Sequence, residues 1–273
     1  MGQRSYEVNP TPVKPLRPKL IINPYLAILS GKRALLRLSK RVKTYFEKDT
    51  TFARMEKITV EWGGLIIMEP MAIVWNWLIT IFGVMAYFKL RKNTSPPYKN
   101  WSLFFLILGI SGFFGGLGHG LFHYWGLTGK ILPWTTGILS VYFAERGIYA
   151  FIPAEKEVWK KRLRLFSLLK MIIMLAGMVF VSFDFLWTKN NSVIGLTLVV
   201  GLGGYLLSRK HKELVYFPIG VLVLSSAAFV HGFDINIHPW FNRDDFAHLI
   251  MLAGMSFFLV ALQKFDLKSP QAS

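Results

Sequence analysis

An all-α fold is predicted, a polytopic membrane protein built as a seven-transmembrane helix bundle behind a basic N-terminal tail. Three observations predict it. More than half of the 273 residues are apolar and the mean hydropathy is positive, outside the range of ordinary soluble domains. The apolar residues fall in seven runs, most near the ~20 residues that a bilayer core requires of a helix. Lys and Arg alternate between rich and poor in the loops joining those runs, the pattern that orients membrane helices.

Residues 1–58 form a basic tail, in which Pro10, Pro12, Pro15, Pro18 and Pro24 favour extended or irregular chain. Within it, residues 32–46 place Leu35, Leu38, Val42 and Tyr45 at helical spacing opposite basic residues. That is the pattern of an amphipathic helix lying on an anionic membrane surface, or of a solvated basic helix packed on the domain. No charged leader followed by an apolar core and a small-residue cleavage site stands at the start, so no signal peptide is expected. The transmembrane domain, 59–265, has spans expected at 62–90, 101–125, 131–151, 166–187, 192–207, 215–232 and 246–265, of which the fifth is short. A cytoplasmic C-terminal tail, 266–273, completes the chain.

Orientation follows from the loops. The loop after the first span carries Lys89, Arg91, Lys92 and Lys99, and the next only Lys130. Lys156, Lys160, Lys161, Arg162 and Arg164 follow, then Lys189 alone, then Arg209, Lys210 and Lys212, then Arg243 alone, then Lys264 and Lys268. The rich loops belong in the cytoplasm, which puts the N-terminus outside and the C-terminus inside, although the basic tail itself breaks the rule. The formal charge of +17 therefore reports topology and contact with anionic membrane lipids, not nucleic acid. The absence of cysteine excludes disulfides, thiolate ligands, a cysteine nucleophile and iron–sulfur ligation.

The chain is organised around residues 115–125, GGLGHGLFHYW. His119 and His123 are four apart, so on one continuous helix both imidazoles leave the same face. Gly112, Gly115, Gly116, Gly118 and Gly120 let neighbouring helices approach closely. In the predicted orientation His119 and His123 lie near the outer end of the second span and His248 near the outer start of the seventh. Asp244 precedes His248 by one turn, His231 and His238 lie in or beside the preceding outer loop, and Glu69 lies in the outer half of the first span. Only His211 is cytoplasmic. Three neutral imidazoles with an open fourth position suit zinc that activates water, so His119, His123 and His248 are the candidate metal ligands. Asp244 or Asp245 would orient a ligand or act as general base. Glu69, before Pro70, needs a partner or a proton when buried in lipid, and either supports a ligand or takes part in catalysis. The competing reading is that these histidines merely bond neighbouring helices or water.

The segments EPMAIVWN, GGLGHG and HPWFNRDDFAH resemble seven-span bacterial membrane proteins related to the alkaline ceramidase and progestin/adipoQ receptor superfamily. That resemblance implies a bacterial inner membrane, Zn2+ as cofactor and hydrolysis of a lipid amide. It implies His119 as the second-span ligand and His248 as the second of a seventh-span pair. Two departures stand out. Asp244 occupies the place of the other seventh-span histidine, and Gly115 that of a serine thought to stabilise the oxyanion, leaving Ser111 or a backbone amide to replace it.

Two functions follow as expectations. One is a zinc-dependent intramembrane hydrolase acting on a lipid amide or ester. The other is a non-enzymatic receptor or transporter-like bundle whose His/Asp cluster binds a ligand, a proton or a structural metal. Haem is disfavoured, because histidines one turn apart on one helix cannot clamp a single haem from both sides.

Overall fold

The computed structural model describes residues 58–268, with side chains to 266. The expected amphipathic helix at 32–46 and most of the C-terminal tail lie outside the described residues. The described chain is almost wholly helical, and six of its helices are long and apolar enough to cross a membrane: Pro70–Leu90, Pro96–Gly120, Ala154–Val181, Leu186–Ser208, Lys212–Gly232 and Arg243–Asp266. Their outward faces carry large apolar side chains, among them Phe180 at 85 %, Leu222 at 72 % and Ile173 at 60 % exposure. Contiguous apolar surface on this scale suits lipid and not water, consistent with an integral, multi-pass membrane protein.

The first element is a correction to the expected start of span one. Residues Thr59–Trp62 (β1) and Leu65–Met68 (β2) form an antiparallel hairpin, pairing Thr59 with Met68 and Trp62 with Leu65. Its two-residue turn is Gly63–Gly64, with φ of +57° and +80°. Positive φ at both positions defines the tight hairpin turn whose twist matches the strands, and glycine adopts it without a Cβ clash. The first membrane-length helix, α1 (Pro70–Leu90), starts at a proline whose missing N–H and fixed φ suit a first helical turn.

The second, α2 (Pro96–Gly120), also begins on prolines and packs against α1 on one side and α4 (Ile131–Tyr149) on the other. The glycine stripe does what its spacing suggests. A Cβ on Gly83 would stand 2.5 Å from the Phe105 carbonyl, and one on Gly115 would stand 2.5 Å from Asn76 Oδ1. Replacing Gly83 with Leu should force α1 and α2 apart and cost about 1–3 kcal/mol, read as a lower midpoint in detergent unfolding. An unchanged midpoint would mean the helices are not in contact there.

The short helix α3 (Phe122–Trp125) and a single tight turn, Gly126–Lys130, lead into α4. Helix α4 has 19 residues, is largely buried and is less apolar than the six. The fourth and fifth spans differ from expectation. Helix α5 (Glu157–Ala176) incorporates the basic residues read as loop, and runs into a π-helical turn at Gly177–Val181. The next rod, Leu186–Ser208, joins α6 (Leu186–Ser192), a π-helical stretch Val193–Leu202 and α7 (Gly203–Ser208). It is a full 23 residues long, because polar Thr188 and Asn191 belong to the helix and are buried in it. Helices α8 (Tyr216–Gly232) and α9 (Arg243–Lys268) pack on each other, and α9 also touches α1.

The core sits at the Pro96 end of α2. Trp101 and Phe105 of α2, Phe217 of α8 and Phe258 of α9 are fully buried together, with Trp101 stacked on Phe217 at 4.8 Å between ring centres. Tyr98 donates to the Leu262 carbonyl at 2.9 Å. These contacts fix α2 against α8 and α9, and so determine what meets at the opposite, Gly120 end.

Candidate functional site

Three helix ends meet there: the start of α1, the end of α2 and the start of α9. Glu69, the residue before α1, has φ 47° and ψ 58°, a left-handed conformation unfavourable for a side chain with a Cβ and costing roughly 1–2 kcal/mol. It is held there by its own N–H bonded to the Ile58 carbonyl at 2.9 Å. The conformation turns its carboxylate inward, 6 % exposed, where Oε2 lies 2.9 Å from His119 Nδ1 in the last turn of α2. His248, in the second turn of α9, has its ring edge-on to His119 at 6.3 Å between centres.

Both imidazoles are oriented by oxygen. His248 Nδ1 lies 2.6 Å from the Asp244 carbonyl, which can only accept, so this nitrogen carries the proton. A carboxylate faces Nδ1 of His119 in the same way. In the neutral form each ring then presents its Nε2 lone pair, the arrangement found where a histidine's other nitrogen ligates a metal.

His123 departs from the expected same-face pair. Helix α2 ends at Gly120, and Leu121, with φ −97° and ψ 17°, breaks the register. His123 therefore belongs to α3, is exposed and sits edge-on to Tyr124. Among the described residues no group of three or more His, Asp or Glu side chains is placed to hold a metal ion. The three-imidazole set expected from the sequence is not assembled.

The aspartates separate in role. Asp244 is partly exposed, with Oδ1 3.8 Å from His231 Nδ1. Asp245 is 1 % exposed and joins a reciprocal cap on α9: Asn242 Oδ1 accepts the N–H groups of Asp244 and Asp245, while Asp245 Oδ2 accepts that of Asn242 at 3.0 Å. This is the capping-box logic with Asp in the third position. Asp245 Oδ1 is buried without a hydrogen-bond partner. Ser111, the candidate stand-in for an oxyanion donor, gives its hydroxyl to the Pro133 carbonyl at 2.8 Å. His238 accepts from the Trp240 N–H, and His211 packs against Phe265.

A second polar cluster lies inside the bundle, where Glu145 finds a buried partner. Lys170 of α5 meets Glu145 of α4 at 2.8 Å, and both are buried. The Lys170 ammonium also donates to Asn191 Oδ1 at 2.6 Å, and Asn191 in turn donates to the Ile138 carbonyl at 3.2 Å. The signal available was a lone Lys inside an apolar run, about one turn into the expected fourth span.

No curated protein and no solved structure matches the chain. A family model does match, over residues 71–266, beginning two residues after Glu69 and taking in His119, His123, both aspartates and His248. The chain belongs to a family of unknown function, DUF6962.

Proposed function

We propose that the chain is a seven-span membrane protein, α4 being the seventh span, that hydrolyses a lipid amide or ester at the cluster formed by Glu69, His119 and His248. The observation that carries this reading is the pair of imidazoles whose Nδ1 atoms are each committed to an oxygen, leaving Nε2 as the acceptor on two rings whose centres are 6.3 Å apart. Zn2+, when bound, would polarise a carbonyl and lower the pKa of its water. His119 and His248 are the residues that would hold it. Glu69 orients His119, and Asp244 orients His248 through its carbonyl. His123, exposed on α3, is not needed.

Purified protein should contain about one zinc per chain and release fatty acid from an N-acyl or O-acyl lipid. His119→Ala and His248→Ala should each lose the metal and lower turnover by at least about 10²-fold, while His123→Ala leaves both intact. Metal-free protein without lipid turnover would sink the hydrolase.

A second reading, a receptor or transporter-like bundle whose His/Asp cluster holds a ligand, a proton or a structural metal, is favoured by the lack of a three-ligand group among the described residues. It predicts no turnover.

The accompanying topology puts the N-terminus and the hairpin end outside and the C-terminus in the cytoplasm. Because the chain has no cysteine, single cysteines can report it directly. Thr128→Cys should react with an impermeant maleimide on intact cells, and Lys161→Cys only after permeabilisation. The reverse pattern would invert the bundle.

A further inference from the structure

We propose that the hairpin end also contains a recognition pocket for a primary ammonium group, formed between the carboxylates of Glu69 and Asp245 and walled by Trp240. It deepens the reading above, on which it rests only in taking this end as the working site.

Glu69 and Asp245 both line one small pocket between the start of α1 and the loop before α9, together with Trp240, Pro239, Met71 and Asn242. Asp245 is 1 % exposed, yet its Oδ1 has no hydrogen-bond partner. A buried anionic oxygen left without a donor is costly, by about 1–3 kcal/mol or more, and so calls for a donor from outside the chain. The neighbouring cation does not supply it: Arg243 is turned to Asp234, with Nη1 2.7 Å from Oδ1. Asp245's capping bond uses only Oδ2, so helix capping does not explain the other oxygen.

The walls select the kind of cation. Calcium requires six to eight oxygen ligands and magnesium a near-octahedral set. Beyond the two carboxylates and Asn242, the residues around this pocket are mainly apolar, including Pro70, Met71, Ala72 and Pro239. A primary ammonium needs only a few acceptors and is also attracted by an aromatic ring. Trp240, 45 % exposed at the rim, supplies that ring and leaves a way in. Such a group arrives either as a free small amine or as the headgroup of an aminophospholipid.

The test uses the full chain in detergent and in nanodiscs, titrated with ethanolamine and with choline while Trp fluorescence and binding heat are followed. Ethanolamine should bind saturably, and choline, whose methyl groups remove every N–H, at least about tenfold more weakly. Asp245→Asn, which keeps the capping oxygen, should weaken ethanolamine binding at least about tenfold, and Trp240→Leu several-fold. His123→Ala, at a residue exposed on α3 and outside the pocket, should leave it unchanged. Ethanolamine binding abolished in nanodiscs of phosphatidylethanolamine but retained in phosphatidylcholine assigns the lipid headgroup; equal binding in both assigns the free amine. No saturable binding, equal affinity for choline, or unchanged affinity in a folded Asp245→Asn would overturn the proposal. Absence of lipid turnover in the same preparation would remove the hydrolase and leave this pocket standing.

Discussion

Replacing Lys170 with Met lowers the stability of the bundle by about 3–5 kcal/mol, the cost of stranding one member of a buried ion pair. Glu145 has no exposed surface and Lys170 only 6 %, and their charged atoms are 2.8 Å apart. Asn191 completes the ammonium's shell from the following rod, so three helical segments meet at one cation. Gly195, in the π-helical stretch, comes so close that a Cβ there would overlap Val141 and Glu145. Without the ammonium, the fully buried Glu145 carboxylate is left with no cation beside it. The double variant Glu145→Leu with Lys170→Met, of similar volume and no charge, should recover most of the loss, because both desolvation costs vanish together. Reversible unfolding in mixed detergent micelles gives both numbers and their coupling. A Lys170→Met protein as stable as the parent would mean that the pair does not hold these helices together. A double variant no better than the single would shift the weight to Asn191 and the packing around Gly195.

That cluster marks where sequence reading stops. Hydropathy and loop charge locate the spans because both act on stretches of chain, and a bilayer selects for them residue by residue. The glycines of α2 are legible for a related reason: a periodic absence of side chain can only serve close approach, and Asn76 and Trp77 fill the space at Gly115 and Gly116. Lys170 gives no such signal, since its partners Glu145 and Asn191 lie 25 and 21 positions away on other helices. The polar run at 188–191 read as loop for the same reason, although Thr188 and Asn191 are satisfied by carbonyls of α4. The hairpin was legible in principle: a Gly-Gly pair between β-branched and apolar residues is a hairpin signal, but its apolar strand LIIM runs on into the first span. At the site, the four-residue spacing singled out His119 and His123 and the span orientation added His248, and the rings of His119 and His248 stand 6.3 Å apart between centres. The same-face pairing of His119 with His123 does not hold, because four residues apart implies one face only while the helix continues, and α2 stops at Gly120.

Glu69 offers the sharpest separation of function from fold. A residue whose carboxylate existed to stabilise the bundle would be missed on removal, since a hydrogen bond to a charged group contributes about 1.5–3 kcal/mol. Glu69 is in the opposite position. Its backbone is left-handed at φ 47° and its carboxylate is desolvated. Its bond goes to His119, a side chain 19 % exposed that water can still reach. Glycine accepts that φ freely, which offsets the entropy it adds to the unfolded chain. Glu69→Gly should therefore unfold within about 1 kcal/mol of the parent. Its effect on the proposed chemistry is different in kind. Without the carboxylate, His119 loses the acceptor that fixes its tautomer, and lipid turnover should fall by at least about 10²-fold. Glu69→Asp, whose residue type tolerates left-handed backbone but has a side chain one methylene shorter, should be as stable as Glu69→Gly and nearly as inactive. Measuring the unfolding midpoint and turnover on the same preparations gives the decision. A Glu69→Gly protein that loses more than about 2 kcal/mol would identify the carboxylate as a structural bond. One that keeps both stability and turnover would leave the strained backbone at Glu69 without a functional reason.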